Sequence, residues 1–243
     1  MGMRELRSES MPRLKITWFG HSTFLVQTPG GRRLLFDPWF VENPACPASM
    51  KKPPQADLIL VSHGHGDHMG DLLAVARDSG APVVAVYELC EWLRRKGVGS
   101  VSPMNKGGAQ HVAGLLVTMT DARHSSGYVD EGRMVYMGEP AGYVVRLEDG
   151  TTIYFAGDTA LFGDMRLIGE LYRPDIAFLP IGDRFTMGPA AAAKACELLG
   201  VRQAVPMHWG TFPALTGTPA EFRRLVEASG VQVLELQPGE TSE

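Results

Sequence analysis

The sequence predicts an α/β protein of four layers, an αββα sandwich of two mixed sheets face to face with helices outside, and three observations predict it. Apolar runs of strand length alternate with helix-like runs in both halves of the chain, and each half opens with a meander before that alternation begins. Several of the apolar runs end, within a few residues, in a histidine or an aspartate. Strand ends from the two halves would then meet at one edge, which is where α/β proteins collect ligands. The expected organisation is one domain over residues 1–243, with a flexible tail over 1–12 and two similar halves of about 13–107 and 108–240.

The elements follow in order. Leu14 to Trp18 alternates apolar and polar residues, Thr23 to Gln27 repeats the pattern after Gly20 His21 Ser22, and Arg33 to Phe36 makes a third strand beyond the turn Pro29 Gly30 Gly31. Pro38 stops that strand and leaves Asp37 at its tip. Residues Val41 to Gln55 lack periodicity and read as a loop beside the site. Leu58 to Val61 is a buried strand, a helix follows from near Met69, Val83 to Val86 is another strand, and Glu88 to Lys96 a helix closed by Gly97.

The second half opens with Gly114 to Thr120, which leads to His124. Ala141 to Leu147 and Thr151 to Ala156 form a hairpin around Glu148 Asp149 Gly150. Ile176 to Pro180 is buried, Pro189 opens a helix that Gly200 closes, and Ala204 to Met207 ends in His208. A helix over Pro219 to Ala228 and a strand over Val231 to Leu236 complete the chain.

Composition narrows the function. With 44% hydrophobic residues in 243, a large core is expected, and a net charge of −4 spread without blocks gives no footprint for nucleic acid or an anionic membrane. No apolar run approaches the roughly 20 residues that cross a bilayer, and the N-terminus lacks a secretory core. Cys46, Cys90 and Cys196 are odd in number and far apart, against a disulfide framework. The expectation is a cytoplasmic protein acting on a small molecule, a composition that also allows a homo-oligomer.

The segment His63 Gly64 His65 Gly66 Asp67 His68 holds three of the seven histidines and a carboxylate in six positions. From 7 His and 12 Asp, the pattern His-x-His-x-Asp-His is expected in about 3 of ten thousand random chains of this length. A short loop that crowds imidazoles and a carboxylate orders metal ligands at small entropic cost, and Gly64 and Gly66 let its backbone fold back. His124, Asp158 and His208 follow later strands. Each alone reads equally well as a surface residue or a cap, but with the first motif they complete a set: three histidines for one cation, Asp67, His68 and His208 for a second, and Asp158 to bridge.

This ordered set resembles the ligand motifs of the metallo-β-lactamase superfamily, and the likeness runs from Ile16 to Gly239. It is nearer to a family of small bacterial and archaeal metal-dependent hydrolases close to the ascorbate-phosphate lactonases, on Trp18 Phe19 Gly20 His21 Ser22, Phe36 Asp37 Pro38, Thr186 Met187 Gly188 Pro189 and Met207 His208 Trp209 Gly210 Thr211 Phe212. Ala190 departs from the acidic residue expected there. The resemblance implies a binuclear site with His63, His65 and His124 on one metal, Asp67, His68 and His208 on the other, and Asp158 between them. It implies hydrolysis by a metal-bridging hydroxide of a small ester, lactone, amide or phosphodiester.

Zinc suits the nitrogen-rich set best, with manganese, iron or nickel as alternatives. His21 is a candidate for catalysis or for support beneath the loop, and Asp37 and Asp183 are candidates to orient ligands. The connection Ser125 to Pro140, with Trp39, Phe185, Trp209 and Phe212, is expected to wall the substrate pocket. Flavodiiron relatives carry a glutamate where His65 stands, and the 33 residues from His124 to Asp158 and 49 from Asp158 to His208 leave no room for a nuclease insertion. The reading from another class is a non-catalytic metal-binding scaffold.

Overall fold

A computed structural model describes residues 14–242. The tail expected over 1–12 lies outside the described residues. In the first half, β1 (Lys15–Trp18), β2 (Phe24–Gln27) and β3 (Arg33–Phe36) form the antiparallel meander. β4 (Leu58–Leu60) then pairs parallel to β3, and the chain continues through α1 (Gly66–Met69), α2 (Leu72–Ser79), β5 (Val83–Val86), α3 (Tyr87–Arg95) and β6 (Val101–Met104). The six strands lie in sequential order, with β3 to β6 all parallel.

The second sheet takes β7 (Ala109–Val112) and β8 (Leu115–Asp121), and between β8 and the rest stands a separate ribbon of β9 (Gly127–Asp130) and β10 (Arg133–Tyr136). It then adds β11 (Ala141–Arg146), β12 (Thr152–Phe155), α4 (Met165–Tyr172), β13 (Ile176–Pro180), α5 (Pro189–Leu199), β14 (Gln203–Met207), α6 (Pro219–Val226) and β15 (Gln232–Val233). Its order is β15-β14-β13-β12-β11-β8-β7, antiparallel from β7 to β12 and parallel from β12 onward.

Both sheets are therefore mixed, and the chain passes from the first to the second between Met104 and Ala109. The faces meet through aromatic side chains: Phe36 stacks on Phe155 at 4.5 Å and Phe24 meets Phe178 edge-on at 5.0 Å. One buried apolar cluster runs through both sheets and their helices. Burying such large rings is the main driving force for joining the layers. The C-terminal segment closes back on the first strand, where Thr17 bridges Thr241.

Five elements escape the sequence patterns, each for a physical reason. β6 contains Pro103 and β7 is polar and largely exposed; both are edge strands, where proline and polar residues are tolerated. The β9–β10 ribbon lies inside the expected long connection, and its alternation is masked by outward Val129 and Met134. α4 carries Gly169 at its centre because a β-carbon there would strike the carbonyl of Leu199 at the end of α5. The last strand shrinks to Gln232–Val233.

Candidate metal centre

The parallel pairing fixes where the functional residues go. β3, β4, β8, β12, β13 and β14 point the same way within their sheets, so Asp37, His63, His124, Asp158 and His208 all leave from one end of the sandwich. His21 sits on the turn between β1 and β2 at the same edge, where its backbone oxygen accepts from His208 N at 3.0 Å. His21, Asp37 and His208 all hold left-handed backbone, with φ of 55°, 44° and 56°. Such strain at non-glycine residues costs on the order of 1–3 kcal/mol each and concentrates at functional sites.

All seven predicted ligands converge. His63, His65 and His124 form one set, His21, Asp67, His68 and His208 a second, and His63, His68 and Asp158 a third that links them, with the donor atoms of each set within 4.8 Å of one another. Asp158 Oδ2 stands 2.9 Å from His208 Nε2, 3.3 Å from His68 Nε2 and 3.6 Å from His124 Nε2. The expected role of the glycines is refined here. Neither Gly64 nor Gly66 needs left-handed backbone, since Gly66 opens α1, and Gly64 is required because a β-carbon would collide with Met137.

Beneath the ligands lies an anchor. Asp37, fully buried, accepts from His68 Nδ1 at 2.7 Å, from Ser62 N at 2.7 Å and from Ser62 Oγ at 2.7 Å. Ser62 Oγ is in turn 2.9 Å from His63 Nδ1. A carboxylate is an acceptor only, so the Ser62 hydroxyl spends its one hydrogen on Asp37 and accepts from His63 Nδ1–H. His63 thereby presents a bare Nε2 to the cluster, and His68 turns its Nε2 the same way. Asp37 thus bonds His68, and Ser62, which sequence reasoning overlooked, extends its reach to a second histidine. The only sequence signal was adjacency to His63.

The donor set fits divalent cations. His68 Nε2, Asp158 Oδ1 and His208 Nδ1 are buried without a hydrogen-bond partner among the described residues, a state that costs about 1–3 kcal/mol per group unless something else satisfies it. His63 Nε2, bare by the argument above, faces His65 Nδ1 at 2.9 Å, so a proton or a cation must lie between them. Burial lowers His63 well below the ordinary histidine range and lowers His65 and His124 as well, keeping them neutral as ligation requires. Burial pushes Asp158 up, but the charges of His208 and His68 outweigh it and hold the carboxylate ionised. For His68 burial is overcome by Asp158 and Asp37, which raise it, so without a cation a proton supplies the positive charge these carboxylates demand.

The remaining predicted residues divide. Trp39 is buried edge-on to His21 at 5.3 Å, and Phe212 lies 5.6 Å from the same ring. Trp209 packs on Trp18 at 5.0 Å and bonds Pro206 O, which makes it part of the wall behind the site. Phe185 is 54% exposed with the Arg184 guanidinium over its ring, and Asp183 accepts from Arg184 N at 2.7 Å, closing its own loop; neither touches a ligand. The Ser125–Pro140 connection does reach the centre, with Ser125 Oγ 3.3 Å from His65 Nε2 and Ser126 Oγ accepting from Gly64 N. A groove of about 500 Å³ beside it is lined by His124, Ser125, Ser126 and Tyr136.

Two stacked mixed sheets with this ligand cluster at one end define a hydrolase of the metallo-β-lactamase superfamily, and a β-lactamase superfamily domain model matches residues 32–209. The chain belongs more narrowly to the UPF0173 metal-dependent hydrolases. It is 50% identical over 228 residues to such a hydrolase from Koribacter versatilis, covering 94% of this chain and 97% of the relative. It is 49% identical over 235 residues to another from Rubrobacter xylanophilus, covering 96% and 97%. Among solved structures, a metallo hydrolase from Ignicoccus hospitalis superposes with a TM-score of 0.84 at 37% identity, covering 94% of this chain and 97% of that one. An isothiocyanate hydrolase from Delia radicum gut bacteria, at 23% identity and a TM-score of 0.71 with 94% and 98% covered, shares the fold. No helix among the described residues is long and apolar enough to cross a membrane.

Proposed function

We propose a binuclear hydrolase holding two divalent cations, zinc ahead of manganese, iron or nickel, with His63, His65 and His124 around one, Asp67, His68 and His208 around the other, and Asp158 between. The observation that carries this reading is the meeting of three imidazole nitrogens, from His68, His124 and His208, on one buried oxygen of Asp158. Bound divalent cations supply the Lewis acidity that makes water nucleophilic near neutral pH and polarises a carbonyl or phosphoryl oxygen.

The chain's own residues do the rest. Asp67 is the carboxylate of the cluster that reaches solvent, with 31% of its side chain exposed, and is the group placed to carry a proton to a leaving group. Asp37 fixes two ligand tautomers from below, while Trp39 and Phe212 form an apolar wall around His21. The groove beside His124 suits a small ester, lactone, amide or phosphodiester. Three buried free cysteines favour a reducing, cytoplasmic setting.

The test is metal-dependent hydrolysis of generic esters, lactones and bis-nitrophenyl phosphate by the wild type and by Asp158→Ala. Turnover that needs the metal and vanishes with the carboxylate is expected. Full metal occupancy without turnover on any of them would instead favour a scaffold.

A further inference from the structure

Thr211, buried just beyond β14, places its Oγ1 2.9 Å from His21 Nδ1. On the far side of the same ring, His21 Nε2 lies 3.2 Å from Asp67 Oδ2. As a ligand of the second cation, Asp67 takes part as the ionised carboxylate. An ionised carboxylate offers only lone pairs, so a bare ring nitrogen facing it would be repelled, and the proton of the neutral imidazole belongs on Nε2. Nδ1 is then an acceptor, and the donor must be the Thr211 hydroxyl. That hydroxyl has one hydrogen, and its other acceptor, Trp209 O, is more distant at 3.4 Å.

The backbone that carries this ring is pinned. The His21 backbone oxygen accepts from both His208 N and Trp18 Nε1 at 3.0 Å, and the Gly20 carbonyl accepts from Asn43 Nδ2. Nothing in this chain of contacts touches His63, His65 or His124. The ligands at that position are backed by Ser62 and Ser125 instead.

We infer that Thr211 is a positioning residue for the second cation alone: by donating to His21 it fixes the tautomer that holds Asp67, and so sets the affinity of the Asp67, His68 and His208 position without affecting the other. This inference rests on the two-cation reading, and the experiment separates the two. Zinc is titrated into apoprotein against a chromophoric chelator, and cobalt(II) absorption reports each position. A wild type that binds fewer than two zinc ions overturns the binuclear reading, and this inference with it.

With two sites confirmed in the wild type, Thr211→Val should weaken the second zinc by about 10–100-fold and leave the first within about twofold, and Thr211→Ser should restore wild-type binding. Melting of the apoproteins checks that each variant is folded, and Thr211→Ala replaces the valine variant if that one is not. Equal loss at both positions, no loss at the second, or failure of serine to rescue would overturn the inference.

Discussion

The two proposed cation positions differ in how they are built. The one formed by His63, His65 and His124 uses imidazoles alone, and two of them, His65 and His124, are only partly buried. The other, formed by Asp67, His68 and His208, adds a carboxylate and is supported from two sides, by Asp37 under His68 and by His21 beside Asp67. Ligands held by buried partners lose less freedom on binding and keep the correct tautomer, so the second position should be the tighter and more selective one. Asp37 is the point where the positions are coupled, because its carboxylate holds His68 directly and His63 through Ser62.

That contrast can be broken most forcefully at Asp37. Asp37→Ala leaves His68 and Ser62 buried without their acceptor, and removing one partner of a buried charge pair costs about 3–5 kcal/mol. The expected outcome is loss of affinity at both positions together with a markedly lower melting temperature, read by zinc titration and calorimetry. If only one position weakens, Asp37 does not couple them. A smaller effect follows from removing the metal. Cations that bind only the native state stabilise by about 2.7 kcal/mol at a hundredfold excess over Kd, so chelation should lower the melting temperature reversibly, in two steps if the positions differ as described.

Ser62→Ala gives the smallest of the three effects and sharpens the comparison most. It removes the bond to His63 but leaves His68 on Asp37, so zinc should weaken by about tenfold at the His63 position and hardly at all at the other. Equal weakening at both would show that Ser62 acts through the backbone of the whole loop. Thr211→Val and Ser62→Ala are therefore mirror experiments on the two positions.

Much of this was legible beforehand because it is written locally. Strand and helix periods, proline and glycine stops, and the crowded segment from His63 to His68 are patterns within a few residues, and they located both sheets and the seven side chains that converge at one end. The periods fail where an element is held by its neighbours instead of its own alternation, as in β6 and β7 at sheet edges and in α4 around Gly169. Aromatic residues near ligands in sequence gave a mixed result: Trp39 and Phe212 flank His21, whereas Phe185 faces solvent.

By itself, then, the sequence determined the layer order, the proposed donor residues and the strand ends that carry them, since those depend on residue type and spacing. Only the tertiary structure decided which ordinary polar residues stand behind the donors. Ser62, Thr211 and Asp183 look alike as polar residues next to strand ends, yet two of them orient the centre and the third closes its own loop. The reason is that a hydrogen bond such as His21 to Thr211 spans 190 residues and exists only once two stacked sheets have brought their edges together.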